Sequence, residues 1–330
     1  MQLAPLVLLI AAVAAGCVDD GVPFDGANVT DPPTPRVPPG SADAQELLEL
    51  AEAQVVAPDG APRYRTPGTA GHADGLAVLR DLMAQRGLLV TDDAFSADLP
   101  LTGPVNLTNL VGVRPGTSDH EIWLAAHWDS RARADDDPDP ALRSKACLGA
   151  NDGAASVAVV LHAMDLLPPT NATIRVVLFD GEDQGEGPSG WAVGSDHMAR
   201  SLDATALARI EAMLLIDMPG DPELQVRREG YSHAHARWLT DLVFAVAAQQ
   251  GATSFIDALG PQILDDHRPF LDRGVAAVDL IHLDDDSRRG PFPWTHHTTH
   301  DTLENLSGER MAEVTNVLVG AILELDGRAH

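Results

Sequence analysis

The chain has 330 residues, 45% of them hydrophobic and 22% charged, and its 49 Asp and Glu against 22 Lys and Arg give a formal net charge of −27. That length suits one large α/β domain or two smaller ones, and the hydrophobic share is ordinary for a globular protein. So acidic a surface repels a phosphate backbone and argues against nucleic acid as a partner, while its field attracts a cationic ligand such as a peptide amino terminus.

Residues 3–16, LAPLVLLIAAVAAG, form an apolar stretch too short for a membrane span and resembling the core of a signal peptide. Cys17 follows Ala14-Ala15-Gly16 directly, as at a bacterial lipoprotein processing site, although no Lys or Arg precedes the apolar run. Cleavage as an ordinary signal peptide is the alternative. Either route implies export, to a bacterial envelope through a lipid on Cys17 or to the periplasm or medium. With Cys17 lipidated, Cys147 has no intrachain partner and no disulfide framework is expected. Residues 18–40 are rich in Pro, Gly and Asp with no apolar period and read as a flexible tether. Residues 41–330 are left as a single folded domain.

Within that domain Ser41 is a candidate N-cap for a helix through AQELLELAEAQV. A second helical pattern covers GHADGLAVLRDLMAQRG and is followed by LLVTDDAF. Short apolar runs then recur: EIWLAA before His127, IRVVLF before Asp180, EAMLLI before Asp217 and GVAAVDLI around Asp279. Helical patterns lie between them at Asp152–Leu167, around His197–Ile210 and at His233–Gln250, with a last one from about Ser307 to Leu325. This alternation predicts an α/β fold, a three-layer α/β/α sandwich with a largely parallel, mixed central sheet.

Several of the predicted strands end in an acid or a histidine, and ligands of open α/β sheets bind outside the carboxyl ends of the strands. The residues with ligand chemistry are His127 and Asp129 in HWDS, Asp152 in LGANDGAAS, the pair Glu182-Asp183, Asp217 in LIDMPG and His297 in HHTTHDTLENL. Zinc takes histidine nitrogen and carboxylate oxygen, and its charge offsets clustered acids. Of two adjacent acids on a loop, one can bind metal while the other moves protons. Read singly, each has an ordinary role: Asp152 as a helix N-cap, His127 as a strand-end histidine, Asp217 as a cap or ion-pair partner. Order and placement together point to a metal centre.

Six segments carry a resemblance over roughly residues 41–330: HWDSR (127–131), GANDGAAS (149–156), LFDGED (178–183), LLIDMPG (214–220), DDHRPFL (265–271) and HHTTHDTLENL (296–306). In this order they resemble the glutaminyl-peptide cyclotransferases, in the clan that these share with secreted zinc aminopeptidases. DDHRPFL, and PFPW before the last segment, favour the cyclase branch. The resemblance implies that residues 41–330 are a zinc-dependent catalytic domain with Asp152, Asp183 and His297 as metal ligands and Glu182 as general acid and base. It implies Asp265 as an acid of the active-site network. Asp217 is implied as an active-site acid that in the aminopeptidases binds a second zinc, with His127 as that metal's other ligand. There are departures. Asp183 stands where animal cyclases have Glu, and Asp279 where they have a network His. His296 stands where the family commonly has Trp, so that Trp294, two residues earlier, is expected to fill the pocket. Trp191 is a further candidate for the pocket wall, with core packing as its alternative.

The implied reaction converts the N-terminal glutamine of a peptide or protein to pyroglutamate with loss of ammonia, using one zinc. The alternative is a two-zinc aminopeptidase holding its metals on His127, Asp152, Asp183, Asp217 and His297. An inactive binding module on the same fold is a third option, one that should have lost Glu182 or the metal positions, and both are intact. Oligomeric state is not legible. Removing residues 1–40 is expected to leave a soluble, active enzyme, because their composition offers no core-forming period. Unfolding of the truncated chain would overturn the tether assignment.

Overall fold

The computed structural model describes residues 41–284 and 290–328; the leader-like segment, Cys17 and the tether lie outside the described residues. Its strands in chain order are β1 (Leu89–Leu99), β2 (Gly103–Arg114), β3 (Glu121–His127), β4 (Thr173–Phe179), β5 (Asp183–Glu186), β6 (Ser189–Trp191), β7 (Ile210–Asp217), β8 (Val226–Arg228), β9 (Phe255–Leu259) and β10 (Ala277–Ile281). The helices are α1 (Ala44–Val55), α2 (Ala70–Gln85), α3 (Ser156–Leu166), α4 (Val193–Ser201), α5 (Ala204–Arg209), α6 (Gly230–His235), α7 (Arg237–Gln250), α8 (Arg268–Leu271) and α9 (Gly308–Asp326).

The apolar runs build the parallel half of a six-stranded sheet, ordered β1-β2-β4-β3-β7-β10. β4, β3, β7 and β10 run parallel, whereas β1 and β2 are antiparallel. β3, β4, β7 and β10 are almost wholly buried, as strands covered on both faces must be, and this is why they read as continuous apolar runs. On one side α3 packs on β3 and β7, and α1 and α9 pack on α3. On the other, the buried Phe270 of α8 sets its ring 5.5 Å from Trp123 of β3 and 5.9 Å from Phe179 of β4.

Local expectations are corrected at five places. The β1–β2 hairpin pairs Leu89 with Val113 through to Leu99 with Gly103, an element that the polar sequence around LLVTDDAF did not announce. β1 is the sheet edge, and Asp92, Asp93 and Asp98 on it are charges of the kind that discourage pairing with another chain. The cap of α1 is Asp43, whose carboxylate accepts from the amides of Gln45 and Glu46, while the Ser41 hydroxyl donates to Asn316 Oδ1 at 2.8 Å. Helix α3 starts at Ser156, leaving Asp152 in an irregular turn where it caps nothing. The segments expected around His197–Ile210 and at His233–Gln250 are each divided, at Leu202–Asp203 and at Ala236.

Phe270 joins two strands to a four-residue helix that could not stand alone. Phe270→Ala is expected to cost about 3–5 kcal/mol of stability, read from the midpoint of a urea unfolding curve.

Candidate active site

The parallel register brings the strand ends to one edge. His127 closes β3 opposite Phe179, and Asp217 closes β7 opposite Ile281. The chain then turns sharply after Phe179. Asp180 does not join the edge acids. It is buried, accepts from the Thr108 amide at 2.7 Å and pairs with His72 Nε2 at 2.9 Å; burial pushes its carboxyl up to about 6 against the pull of His72. Gly181 takes the left-handed turn at φ +72°, where a Cβ would lie 2.9 Å from Leu107. Glu182 and Asp183 are thereby delivered to a cavity of about 350 Å³ that Asp152, Asp217, Asp265 and His297 also line.

Asp152 sits in the turn 149–155 with extended backbone, φ −81° and ψ 89°. Next to it Gly153 has φ +104°, and a Cβ there would approach Asp129 O to 3.0 Å and the His127 ring to 3.2 Å. Two buried residues that sequence reasoning missed hold this turn. The Asp301 carboxylate accepts from the amides of Asn151 (2.7 Å) and Asp152 (3.2 Å). Arg65 donates to the carbonyls of Trp128, Leu148 and Gly149 at 2.7–3.2 Å. Asp301 lies inside the last quoted motif, where an acid between His300 and Thr302 was a visible signal; Arg65 left none. His297 and Met218 are held at φ 53° and 49°, unusual for non-glycine residues and costly unless their surroundings enforce it.

Two buried triads result, His127–Asp152–Asp217 and Asp152–Asp183–His297, each with ligand atoms all within 4.8 Å of one another. Asp152 belongs to both. Its Oδ1 lies 3.0 Å from His127 Nε2, which is 3.4 Å from Asp217 Oδ1; its Oδ2 lies 3.9 Å from His297 Nε2, which is 2.9 Å from Asp183 Oδ1. Both ring nitrogens of His127, Oδ2 of Asp183 and Oδ1 of Asp217 are buried without a hydrogen bond. Buried polar atoms are nearly always partnered. Convergent nitrogen and oxygen atoms left free in this way fit a metal of the zinc class. Asp129 stands behind them, 3.6 Å from His127 Nδ1, and accepts from the Glu182 amide at 3.1 Å and from Gln184 Nε2 at 2.9 Å.

The electrostatics show the same strain. Burial, then the charge of Asp152, holds the Asp183 carboxyl well above the usual range, and burial likewise raises Asp217 against the pull of His127. Burial would lift Asp152 too, but His127, with Nε2 3.0 Å from its Oδ1, outweighs it and draws it well down. His127 is raised because Asp129, Asp152 and Asp217 overcome the burial that opposes its charge. His297 is lowered to about 4, by burial and then by Arg131, which leaves it neutral, as a ligand must be. Glu182 keeps part of its surface toward the cavity and is raised by desolvation, with His127 opposing and Asp265, Asp183 and Asp266 adding to the rise. Asp265 is pushed up to about 6 by burial and by Asp217, and the deeper Asp279, whose carboxyl oxygens have no hydrogen bond, is raised by burial and then by the charge of Asp265.

Arg131, which the sequence left unassigned, donates to Asp183 O at 3.0 Å and Oδ1 at 3.3 Å and binds Asp135 at 2.6 Å. Trp191 faces the cavity, its ring parallel to His297 at 6.0 Å and 4.9 Å from the Arg131 guanidinium. His296 lines the cavity as well, stacked at 3.5 Å on His297 and 4.3 Å from Phe292. Trp294 does not line it: the residue is 46% exposed and packs against His300 at 5.2 Å. The turn closed by the His296 amide on Pro293 O turns Phe292 and His296 inward in its place.

Known proteins resemble this chain in sequence and in fold. A bovine glutaminyl-peptide cyclotransferase-like protein is 28% identical over 299 residues, 80% of this chain and 72% of the relative. The crystal structure of Porphyromonas gingivalis glutaminyl cyclase aligns with a TM-score of 0.80 at 25% identity, covering 86% of this chain and 99% of the other. A leucine aminopeptidase precursor from Bacteroides thetaiotaomicron aligns with a TM-score of 0.76 at 27% identity, covering 87% and 98%. The family model of peptidase family M28 matches residues 109–322, and the chain, with its metal-type triads at the carboxyl edge of the sheet, belongs to that family.

Proposed function

We propose that the chain is a glutaminyl-peptide cyclotransferase, converting an N-terminal glutamine to pyroglutamate with release of ammonia. The observation that carries this reading is Asp265: the DDHRPFL segment brings it into the cavity wall that Glu182 also lines, so a second acid bears on the proton shuttle. Asp152, Asp183 and His297 would hold one zinc. Bound there, zinc would polarise the side-chain amide carbonyl and offset the clustered acids.

The residues of the chain do the rest. The acidic cavity, which among the described residues has neither Lys nor Arg in its lining, attracts the substrate's α-ammonium. Glu182 takes a proton from that ammonium, and the freed amine attacks the side-chain carbonyl carbon to close the ring. The same carboxyl passes its proton to the amide nitrogen as the carbon–nitrogen bond breaks and ammonia leaves, and the second proton of the attacking nitrogen is then taken by Glu182 and released to solvent, leaving the neutral lactam. Nucleophile and leaving group belong to one residue, so the walls at Trp191, Ile263 and Phe292 contribute by holding the glutamine folded on itself. The leader-like residues 3–17 support export, with lipid attachment at Cys17 or simple cleavage as the two routes.

A second reading rests on a specific observation. The triad His127–Asp152–Asp217 has unpartnered atoms that suit a second metal, and a two-metal aminopeptidase would use both triads.

Glu182→Gln keeps the shape of the side chain and deletes the shuttle. It is expected to retain metal and lower kcat about 10²–10⁴-fold, measured as ammonia release alongside metal analysis; near-normal turnover with full metal occupancy would refute the role. Asp183→Asn is expected instead to lose metal first. Peptides starting with Gln or Leu separate the two readings. The cyclase removes ammonia from the Gln peptide and leaves the Leu peptide intact, with one zinc per chain. Release of free leucine by a protein carrying two zincs would favour the aminopeptidase.

A further inference from the structure

Glu229 lies between β8 and α6 and is 0% exposed. A carboxylate so deep must be neutralised or fully hydrogen bonded, and this one has five donors around it. Oε1 accepts from the amides of Tyr231 at 2.8 Å and Ile263 at 2.9 Å. Oε2 accepts from the amide and the hydroxyl of Ser232, each at 2.7 Å, and lies 3.1 Å from His267 Nε2. Burial alone would raise this carboxyl, but His267 and the Ser232 donors outweigh it and hold it down to about 2, so it is charged at any working pH.

Three of these contacts are local. The other two reach 34 and 38 residues along the chain, to the two ends of the segment 263–267. Between those anchors the segment is cavity wall: Ile263 and Leu264 form part of its apolar side, and Asp265 supplies the acid that bears on Glu182. The Ser232 hydroxyl oxygen also accepts from the Asp279 amide at 3.1 Å.

We infer that Glu229 is a positioning residue for the reaction proposed above, its carboxylate fixing the wall segment 263–267 and through it the substrate pocket and Asp265. Glu229 is not among the residues lining the cavity and acts only through that segment. A carboxylate is required because it accepts on both oxygens. Glutamine has one acceptor oxygen, and its amide nitrogen would point a donor at either the Ile263 amide or the Ser232 and His267 donors, releasing one end of the segment.

The test compares three variants on whichever of the Gln or Leu peptides the parent turns over, with metal content and amide hydrogen exchange at Ile263 as readouts that need no substrate. Glu229→Gln is expected to lower kcat/KM about 10²-fold, the scale on which an ångström of misplacement acts, with metal retained and the Ile263 amide exchanging faster. Ser232→Ala removes a donor to the same carboxylate but neither long-range anchor. It should lower the melting temperature while leaving kcat/KM and Ile263 exchange near those of the parent. His267→Phe cuts one anchor, since its ring has no donor for Glu229, and serves if Glu229→Gln does not fold; it should lower kcat through Asp265 with Ile263 still protected. Parent-like kinetics and exchange in Glu229→Gln would overturn the inference. So would losses in all three variants that merely follow the melting temperature. A parent inactive on both peptides would refute the proposed reaction, while Ile263 exchange would still report on the clamp.

Discussion

The structure is organised around one electrostatic problem, the convergence of Asp152, Glu182, Asp183, Asp217 and Asp265 on one cavity at the carboxyl edge of the sheet. Like charges this close in a desolvated site cannot all ionise unless positive charge is supplied. Arg131 supplies part of it to Asp183, and His127 another part to Asp152 and Asp217. The remainder shows in the carboxyls of Asp183, Asp217, Glu182 and Asp265, which are all raised. A metal bound there would answer the charge and the unpartnered atoms together.

Holding acids against their own repulsion needs a rigid frame, and the frame works mostly through backbone. Asp301 and Arg65 fix the turn that carries Asp152, and Asp129 takes the amide of Glu182 and stands behind His127. The left-handed backbone at Met218 and His297 is conformational cost placed beside the chemistry. Apart from Arg65, which lies between α1 and α2, these supports lie at loops after strands, where the parallel register brings them to a common edge.

This division explains what could be read in the sequence. β3, β4, β7 and β10 were legible because buried parallel strands are continuous apolar runs, and His127 and Asp217 were legible because they end such runs. The β1–β2 hairpin was not, since an edge strand with aspartates exposed on it looks like loop. Asp152 reads as a helix cap because an acid before a small-residue run normally is one; two glycines let the turn do something else. Asp180 looks like its neighbours Glu182 and Asp183, and only the fold reveals that His72 and Thr108 take it out of the cavity. Trp294 was the natural substitute for a missing pocket Trp by residue type, but the tight turn at 293–296 sets which side chains face inward. Side chains that act on a ligand carry a chemical signature in the sequence. Those that act on backbone, such as Arg65, Asp301 and Glu229, carry little, because any buried polar residue looks alike before its partners are known.

The triads themselves cannot separate the two reactions that this family scaffold supports, because Asp152 offers one oxygen to each and every ligand of both is present. What differs between the reactions is the nucleophile. Hydrolysis needs room for an activated water beside the scissile carbonyl, whereas cyclisation needs the substrate's own amine brought back over its side chain with water excluded. That choice is made by volume and contour, not by ligand identity. The deciding residues are therefore those of the wall opposite the acids: Trp191 parallel to His297, Phe292 stacked behind His296, and the 262–265 segment that ends in Asp265. In this chain that wall combines large apolar side chains with one acid bearing on Glu182, a combination that, under the proposed cyclisation, would confine a folded glutamine and give the proton shuttle a neighbour to keep it protonated between steps.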